Sequence, residues 1–479
     1  MPITLDDLPE EIIIGIGLCL SKVSLVMLAQ CSSYFYAVCI ELLYYHCAVE
    51  NRIILKILIN TILNKPVIGR SIRWLDLRHF NWNDLCHPAP WKTTSLDLFK
   101  KATLVQKNLV SWNISTWTGA FWMDISCWAL ITVLLCLVPE LRVLGLPTLG
   151  EERRWHGVLL RGSHCEVSAF SDFIARLVKD QRTESPEGGS LRVLTNLESI
   201  TIAPDFCNRR TALDSIMPLM FLRSVKRFKA VSVWHHSWMN SRRLKGVTPI
   251  PNIESLNFVS CDFSDDIVTF LRRFTGIQRF YLGGSPNIMD EFDDIPLCVE
   301  SILEGLTSSK DSLKYVDVSF VSRRPGDDSL SLSQFKRLQV VKLWPSPSIW
   351  SSESPIEDES RLINSLPPGL RILVCKPFYD QHDVVSLKQL YELVANKETY
   401  APELRQIELI WDDAGLTYKC EDCENHCELS EKIPFFTKLI EECKTKNICI
   451  FPGHPSWKAT GTAEPEDLEN TQGLFGGLL

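Results

Sequence analysis

One short pattern recurs along most of this chain: an apolar residue, two others, an apolar residue, one other, an apolar residue. Copies stand at Ile72/Leu75/Leu77, Leu109/Trp112/Ile114, Leu141/Leu144/Leu146, Leu197/Ile200/Ile202 and Val225/Phe228/Ala230. Others stand at Ile253/Leu256/Phe258, Ile277/Phe280/Leu282, Leu313/Val316/Val318, Leu338/Val341/Leu343, Leu370/Leu373/Cys375 and Leu404/Ile407/Leu409. The last two apolar positions of each copy are two residues apart, the period of a strand with one buried face. From Leu197 onward the first positions are separated by 28, 28, 24, 36, 25, 32 and 34 residues, a period of about 30. A unit of that length with one short strand cannot bury its apolar face alone, so it is expected to stack on its neighbours.

This is the strand core of a leucine-rich repeat, and between the strands the apolar period becomes helical. Ile267, Phe270, Leu271 and Phe274 share a face from Asp265 to Phe274, with Ser264 able to cap. Val384, Leu387, Leu390, Tyr391 and Val394 do so from Asp383 to Ala395. The expected fold over residues 71–453 is therefore an α/β solenoid, a horseshoe with strands inside and helices outside, closing on a strand at Ile448–Phe451. The earlier gaps are 37, 32 and 56 residues, and the last leaves room for a degenerate repeat or a loop from Gly150 to Gly189. A doubly wound sheet would also alternate strand and helix, but it calls for longer strands and a glycine-rich phosphate loop, which the sequence lacks.

The N-terminal residues 1–47 are of another kind. Leu8-Pro9-Glu10-Glu11 opens a helix that continues through Ile12, Ile13, Ile16 and Leu20. Ser24 is the expected cap of a second helix to Gln30, and a third carries Phe35, Val38, Cys39, Leu42 and Leu43. Gly15 and Gly17 weaken the first helix by about 1 kcal/mol each relative to alanine. A helix from Ala48 to Leu63 would link this module to the repeats across residues 48–70. So small a helical module cannot bury all its apolar groups, so some surface should be left for a partner.

Leu8 to Ile13, with Leu20, Leu25, Leu28 and Cys31-Ser32-Ser33-Tyr34-Phe35-Tyr36, resembles the F-box pattern over about residues 5–47. With the repeats behind it, the chain is similar to F-box proteins of the fungal type. The resemblance implies docking to a Skp-family adaptor, and through it to a cullin–RING ubiquitin ligase, by Leu8, Pro9, Ile12, Ile16, Leu20, Leu25 and Leu28. It also implies a protein substrate held by the repeats, no cofactor and no catalysis by the chain itself. The alternative is a repeat scaffold or sensor with no part in ubiquitination.

The middle residue of each strand core points away from the buried side, which names a substrate face: Asp76, Asn113, Thr201, Lys229, Asn257, Tyr281, Asp317, Lys342 and Glu408, with Trp344 just beyond its strand. Tyr281 and Trp344 are the expected anchors, because buried aromatics carry a large share of interface energy.

A formal charge of −8 offers no basic field for nucleic acid. The apolar run Trp128–Val138 is 11 residues long, half of the ~20 that a bilayer needs, and reads as a buried helix. Acidic Leu5-Asp6-Asp7 is unlike a secretory leader, and 17 cysteines fit free thiols in a cytoplasmic or nuclear setting. Residues 454–479 turn polar and glycine-rich and are expected to be disordered. Walker, nucleophile-elbow and paired-histidine motifs are missing. Cys420, Cys423, His426 and Cys427 have the spacing of zinc ligands but no second Cys-x2-Cys half-site, so an exposed loop of free thiols is the alternative. Elemental analysis of protein purified without chelator separates the two. The thiol loop gives no stoichiometric zinc, whereas a zinc site gives one equivalent that Cys420→Ser plus Cys423→Ser removes.

Overall fold

The computed structural model describes residues 8–80, 127–147, 154–155, 158–159, 164–182, 193–203, 211–234, 250, 252–259, 261, 267–283, 299–319, 332–343, 363, 365–375, 383–410 and 434–453. The chain divides into two compact units, with main parts Met1–Ser232 and Gly246–Gly461.

The first unit begins with three helices. Pro9 precedes α1 (Glu10–Leu18), and its carbonyl accepts the amides of Ile12 and Ile13. Glu10 and Glu11 lie in the first turn, at the positive end of the helix dipole. Ser21, not the expected Ser24, caps α2 (Lys22–Cys31). Its backbone is extended and its hydroxyl accepts from the Ser24 amide at 3.2 Å, so Ser24 already stands inside the helix. Ser32 caps α3 (Ser33–Tyr45) in the same way, through the Phe35 amide at 3.1 Å. Ile13, Leu25, Ala29, Phe35, Val38 and Cys39 form the shared core, with Leu8, Leu20, Leu28, Leu42 and Leu43 packed around it.

Strand β1 (His46–Ala48) follows α3 directly and has no counterpart in the sequence reading. It displaces the start of the linking helix: α4 runs over Arg52–Asn64, because Asn51 caps it by accepting the amides of Ile53 and Ile54, both at 3.0 Å. Then α5 (Pro66–Ser71) leads into β2 (Trp74–Asp76). The ladder continues through β3 (Val143–Pro147), β4 (Ser199–Ala203) and β5 (Arg227–Val231), each parallel to the one before. Because β2 pairs directly with β3, no rung stands between them. The copy at Leu109/Trp112/Ile114, expected there, lies outside the described residues.

Likewise β3 pairs directly with β4, so the segment from Gly150 to Gly189 adds no rung. It contributes α7 (His164–Arg182), which packs between α6 (Cys127–Leu137) and α8 (Leu213–Met220). The expected buried helix is α6, whose Trp128, Ile131, Leu134 and Leu135 are fully buried.

In the second unit, strands β6 (Ser255–Val259), β7 (Arg279–Gly283), β8 (Tyr315–Ser319), β9 (Val340–Leu343), β10 (Ile372–Cys375), β11 (Gln406–Ile410) and β12 (Cys449–Gly453) pair in parallel, in chain order. Helices alternate with them: α9 (Ile267–Leu271) packs on α10 (Val299–Gly305), and α11 (Asp383–Ala395) on α12 (Pro434–Thr445). The helix α9 is shorter than its apolar period suggests, because Phe274 leaves it to form a parallel bridge with Ile250. Ser264 and the tail 454–479 lie outside the described residues.

Both units share an alternating α/β architecture on a parallel sheet. Across the ten copies of the strand pattern that are described, the apolar positions with a described environment are 0–1% exposed, so one face of each of these ten strands is dry. Within each unit the strands follow chain order, whereas a doubly wound sheet reverses at a switch point. Among the described residues no helix is long and apolar enough to cross a membrane. Cys39, Cys136, Cys261 and Cys443 are buried cysteines, and burial pushes the Cys136 thiol up to about 12.

The two glycines of α1 differ. A Cβ at Gly15 would meet nothing within 4 Å, whereas one at Gly17 would collide with Leu42 and lie 3.3 Å from Leu25 Cδ2. Gly15→Ala is therefore expected to stabilise the first unit by about 1 kcal/mol. Gly17→Ala should destabilise it by about 1–3 kcal/mol, since the Leu42 and Leu25 side chains packed over that position must shift. Chemical denaturation of the two variants reads the opposite signs.

Candidate interaction surfaces

The seven N-terminal residues named from the sequence fall into three environments. Ile12 and Ile16 are 51% and 38% exposed and share a stripe of α1, and Pro9 is also exposed. Leu8, Leu20 and Leu28 are half-buried against the module core, and the Leu8 carbonyl accepts from the Tyr34 hydroxyl at 3.2 Å. Leu25 lies inside that core at 5% exposure. The sequence reading missed Val23 and Met27, which are 66% and 63% exposed one turn apart on α2, and Ile53 and Ile57, which are 71% and 59% exposed one turn apart on α4. An apolar period marks the whole of these helices, so it cannot say which stripe is left bare.

The outward strand face of the first unit aligns Ala48, Asp76, Gly145, Thr201 and Lys229 in one register column. Asp76 is nearly buried. It accepts three hydrogen bonds from Arg78: from the backbone amide at 3.0 Å, Nε at 2.9 Å and Nη2 at 2.7 Å. Burial opposes its ionisation, yet the Arg78 hydrogen bonds and charge outweigh that and hold the carboxyl below the usual carboxylate range. Gly145 makes room for this pair, since a Cβ there would stand 2.7 Å from Asp76 Oδ1. Beside it the rings of His46 and Trp74 stack 4.8 Å apart, and burial lowers the histidine's pKa.

The second unit aligns Asn257, Tyr281, Asp317, Lys342, Val374, Glu408 and Phe451 in its own outward column. Tyr281 lies over Gly283, whose added Cβ would come 2.8 Å from the phenol oxygen. The Tyr315 hydroxyl donates to Asp317 Oδ2 at 2.8 Å, and Lys342 Nζ stands 4.0 Å from the same oxygen and 5.6 Å from the Tyr315 ring. Burial raises the pKa of Asp317, against the lowering effects of Lys342 and Tyr315. Gln406 donates to Glu408.

A scan against protein-family models finds no match to this chain, and a search of the curated proteins finds none.

The outward face thus gathers Asp76, Thr201 and Lys229 in one unit and Asn257, Tyr281, Asp317, Lys342 and Glu408 in the other. Asn113, Trp344, Cys420, Cys423, His426 and Cys427 lie outside the described residues. Among those described, no cluster of histidine, cysteine or carboxylate groups could hold a metal ion. The same alternation that named the middle residues also puts the preceding position outward, which would have found Trp74, Arg279 and Tyr315. Such a surface of paired charges and aromatic rings can recognise a partner by contact.

Asp76 and Asp317 give opposite pH signatures. The depressed folded pKa of Asp76 contributes stability above the ordinary carboxylate range, which is lost as pH falls through the folded value. The raised pKa of Asp317 contributes stability only at acid pH, lost as pH rises through the folded value. Asp76→Asn should therefore cost about 1–2 kcal/mol at neutral pH. Asp317→Asn should raise the melting temperature at neutral pH, with the difference vanishing in acid. Thermal melts across that range check both signs.

Proposed function

We propose that this chain is the substrate-recognition subunit of a Skp–cullin–F-box type ubiquitin ligase. In this reading the N-terminal helices are an F-box that docks the Skp-family adaptor, and the parallel ladder is a leucine-rich-repeat solenoid whose outward strand face holds a protein substrate. The chain performs no bond chemistry. It raises the effective concentration of substrate lysines at the charged ubiquitin carrier.

One observation carries the reading. Among the described residues, the exposed large apolar side chains all fall between Ile12 and Val67, on the three N-terminal helices and on α4 and α5 that follow them, an apolar surface of the kind a partner covers. The F-box resemblance of Leu8 to Tyr36 supplies the identity of that partner. The register column that carries Tyr281 supports substrate binding on the strand face.

Ile12→Asp combined with Met27→Asp places charges on the exposed stripes of α1 and α2 and leaves the module core intact. Each should weaken binding of purified Skp-family adaptor by about tenfold or more, measured by calorimetry. Tyr281→Ala should spare adaptor binding and reduce capture of a validated substrate. Failure of the intact protein to bind adaptor would leave a repeat scaffold without ubiquitin chemistry.

A further inference from the structure

Helices α4 and α5 lie beyond residues 5–47, to which the F-box resemblance extends, and leave an apolar face of their own. At about 3.6 residues per turn, Ile53, Ile57, Asn60 and Asn64 fall in one stripe of α4, and all four are exposed. Leu55, Leu58, Ile59 and Ile62 are buried on the opposite side. Ile53 and Ile57 leave 71% and 59% of their surface bare, so most of each side chain stands clear of the protein. The stripe runs into Lys65, whose amide donates to the Thr61 carbonyl at 2.9 Å and whose ammonium donates to the Tyr36 hydroxyl at 3.0 Å. After Pro66, Val67 and Arg70 are exposed one turn apart on α5.

Charge sets this face apart from the stripes of α1 and α2. From residue 51 to residue 75 the chain carries Arg52, Lys56, Lys65, Arg70 and Arg73 and no carboxylate, although its formal charge is −8. The helix α3, which packs on α5, adds one acid, Glu41. On α1 and α2 the balance reverses, since Glu10 and Glu11 are exposed there against a single cation, Lys22. The α4 stripe is also graded. It passes from Ile53 and Ile57 through Asn60 and Asn64 to Lys65, apolar to uncharged polar to cationic. That is the order met on leaving the acyl chains of a bilayer for its esters and then its phosphates.

We propose that α4 and α5 rest on the surface of an anionic phospholipid bilayer, with Ile53 and Ile57 below the headgroups and Lys65 and Arg70 at the phosphates. An amphipathic helix lying in that plane buries its apolar face ~5–10 Å deep and gains from the cations along its border. The helix lies on the membrane and does not cross it, because α4 has 13 residues and crossing takes ~20. Tyr36, 42% exposed and held by Lys65, adds an aromatic ring of the kind that settles at headgroup level. A protein partner would need a groove shaped to a projecting helix and rimmed with acid, whereas a fluid anionic surface supplies the charge and needs no matching shape. A second copy seated on this face would set Lys65 and Arg70 against their own kind. This attachment is independent of the receptor reading, which concerns α1 and α2.

The test titrates the full chain, without adaptor, against vesicles of phosphatidylcholine alone and of equal parts phosphatidylcholine and phosphatidylserine, with cosedimentation as the readout. The anionic vesicles should bind about tenfold or more tighter, and added salt should narrow the difference. Ile53→Ser with Ile57→Ser, which leaves the charge unchanged, should lower binding to anionic vesicles about tenfold or more. Lys65→Gln with Arg70→Gln should remove most of the preference for the anionic vesicles. Val23→Ser with Met27→Ser, an equal loss of exposed apolar surface on α2, should leave vesicle binding within about twofold. Equal binding to the two vesicles, or equal loss in the α2 control, overturns the proposal. So does a dimer in vesicle-free sedimentation that the Ile53 and Ile57 pair dissolves, which would make the stripe a self-association face. Loss of adaptor binding in that same pair also overturns it, since the stripe would then belong to the adaptor. Because the vesicle titration contains no adaptor, failure of the receptor reading leaves its outcome standing, and its own failure leaves the docking of α1 and α2 untouched.

Discussion

The carbonyl just ahead of most strands accepts two amides from the next. The Arg73 carbonyl takes the amides of Arg142 and Val143, Arg142 takes those of Glu198 and Ser199, and Glu198 those of Lys226 and Arg227. In the second unit Glu254, Gln278, Lys314, Gln339 and Arg371 do the same. This shared acceptor fixes where these strands start, and with it which residue faces which neighbour. A slip of one residue would turn each apolar pair outward, so the buried columns and the ladder enforce the same register. The outward face inherits its geometry from that carbonyl.

The N-terminal helices join this ladder without a separate linker. Helix α3 passes directly into β1, which pairs with β2, and α3 also packs on α5. The module is thus anchored by a strand and by a helix contact within the first unit. Its core is complete where Ile13, Leu25, Phe35, Val38 and Cys39 meet, and most of the large apolar residues left bare lie on α1, α2 and α4. A repeat array needs its terminal strand covered, and a helical module fused to β1 serves that need while leaving an apolar surface open.

The repeat strands were legible because two constraints coincide in them: period two, and complete burial of one face. Strand β1 was not, since His46-Cys47-Ala48 carries no apolar triplet and is a strand only through its pairing with β2. Neighbour order was equally hidden. A local pattern at Leu109/Trp112/Ile114 says nothing about which strand β2 will meet, and in space it meets β3. At the caps, Ser21 and Ser24 are chemically equivalent, and the choice follows from which of them is extended. Gly145 and Val374 share the outward columns but escaped notice because neither side chain looks like a ligand. Yet Gly145 makes room for the Asp76–Arg78 pair, a contact between strands that no local pattern announces.

Neighbouring outward residues sit at strand spacing, so a charge placed among them must be matched nearby. Asp76 is matched by Arg78, Asp317 by Tyr315 and Lys342, and Glu408 by Gln406. The match at Asp317 is incomplete, since burial still raises its pKa, whereas that at Asp76 more than offsets burial. Under-compensated charge on a recognition face is where a partner's donor gains most, because it adds the hydrogen bond that the fold left weak. In the proposed receptor, apolar contacts on α1 and α2 would then give an association that salt barely affects. Binding on the strand face would depend on ionic strength and on the partner's charge. A receptor built this way would keep its attachment constant while its grip on a substrate follows the charges that the substrate carries.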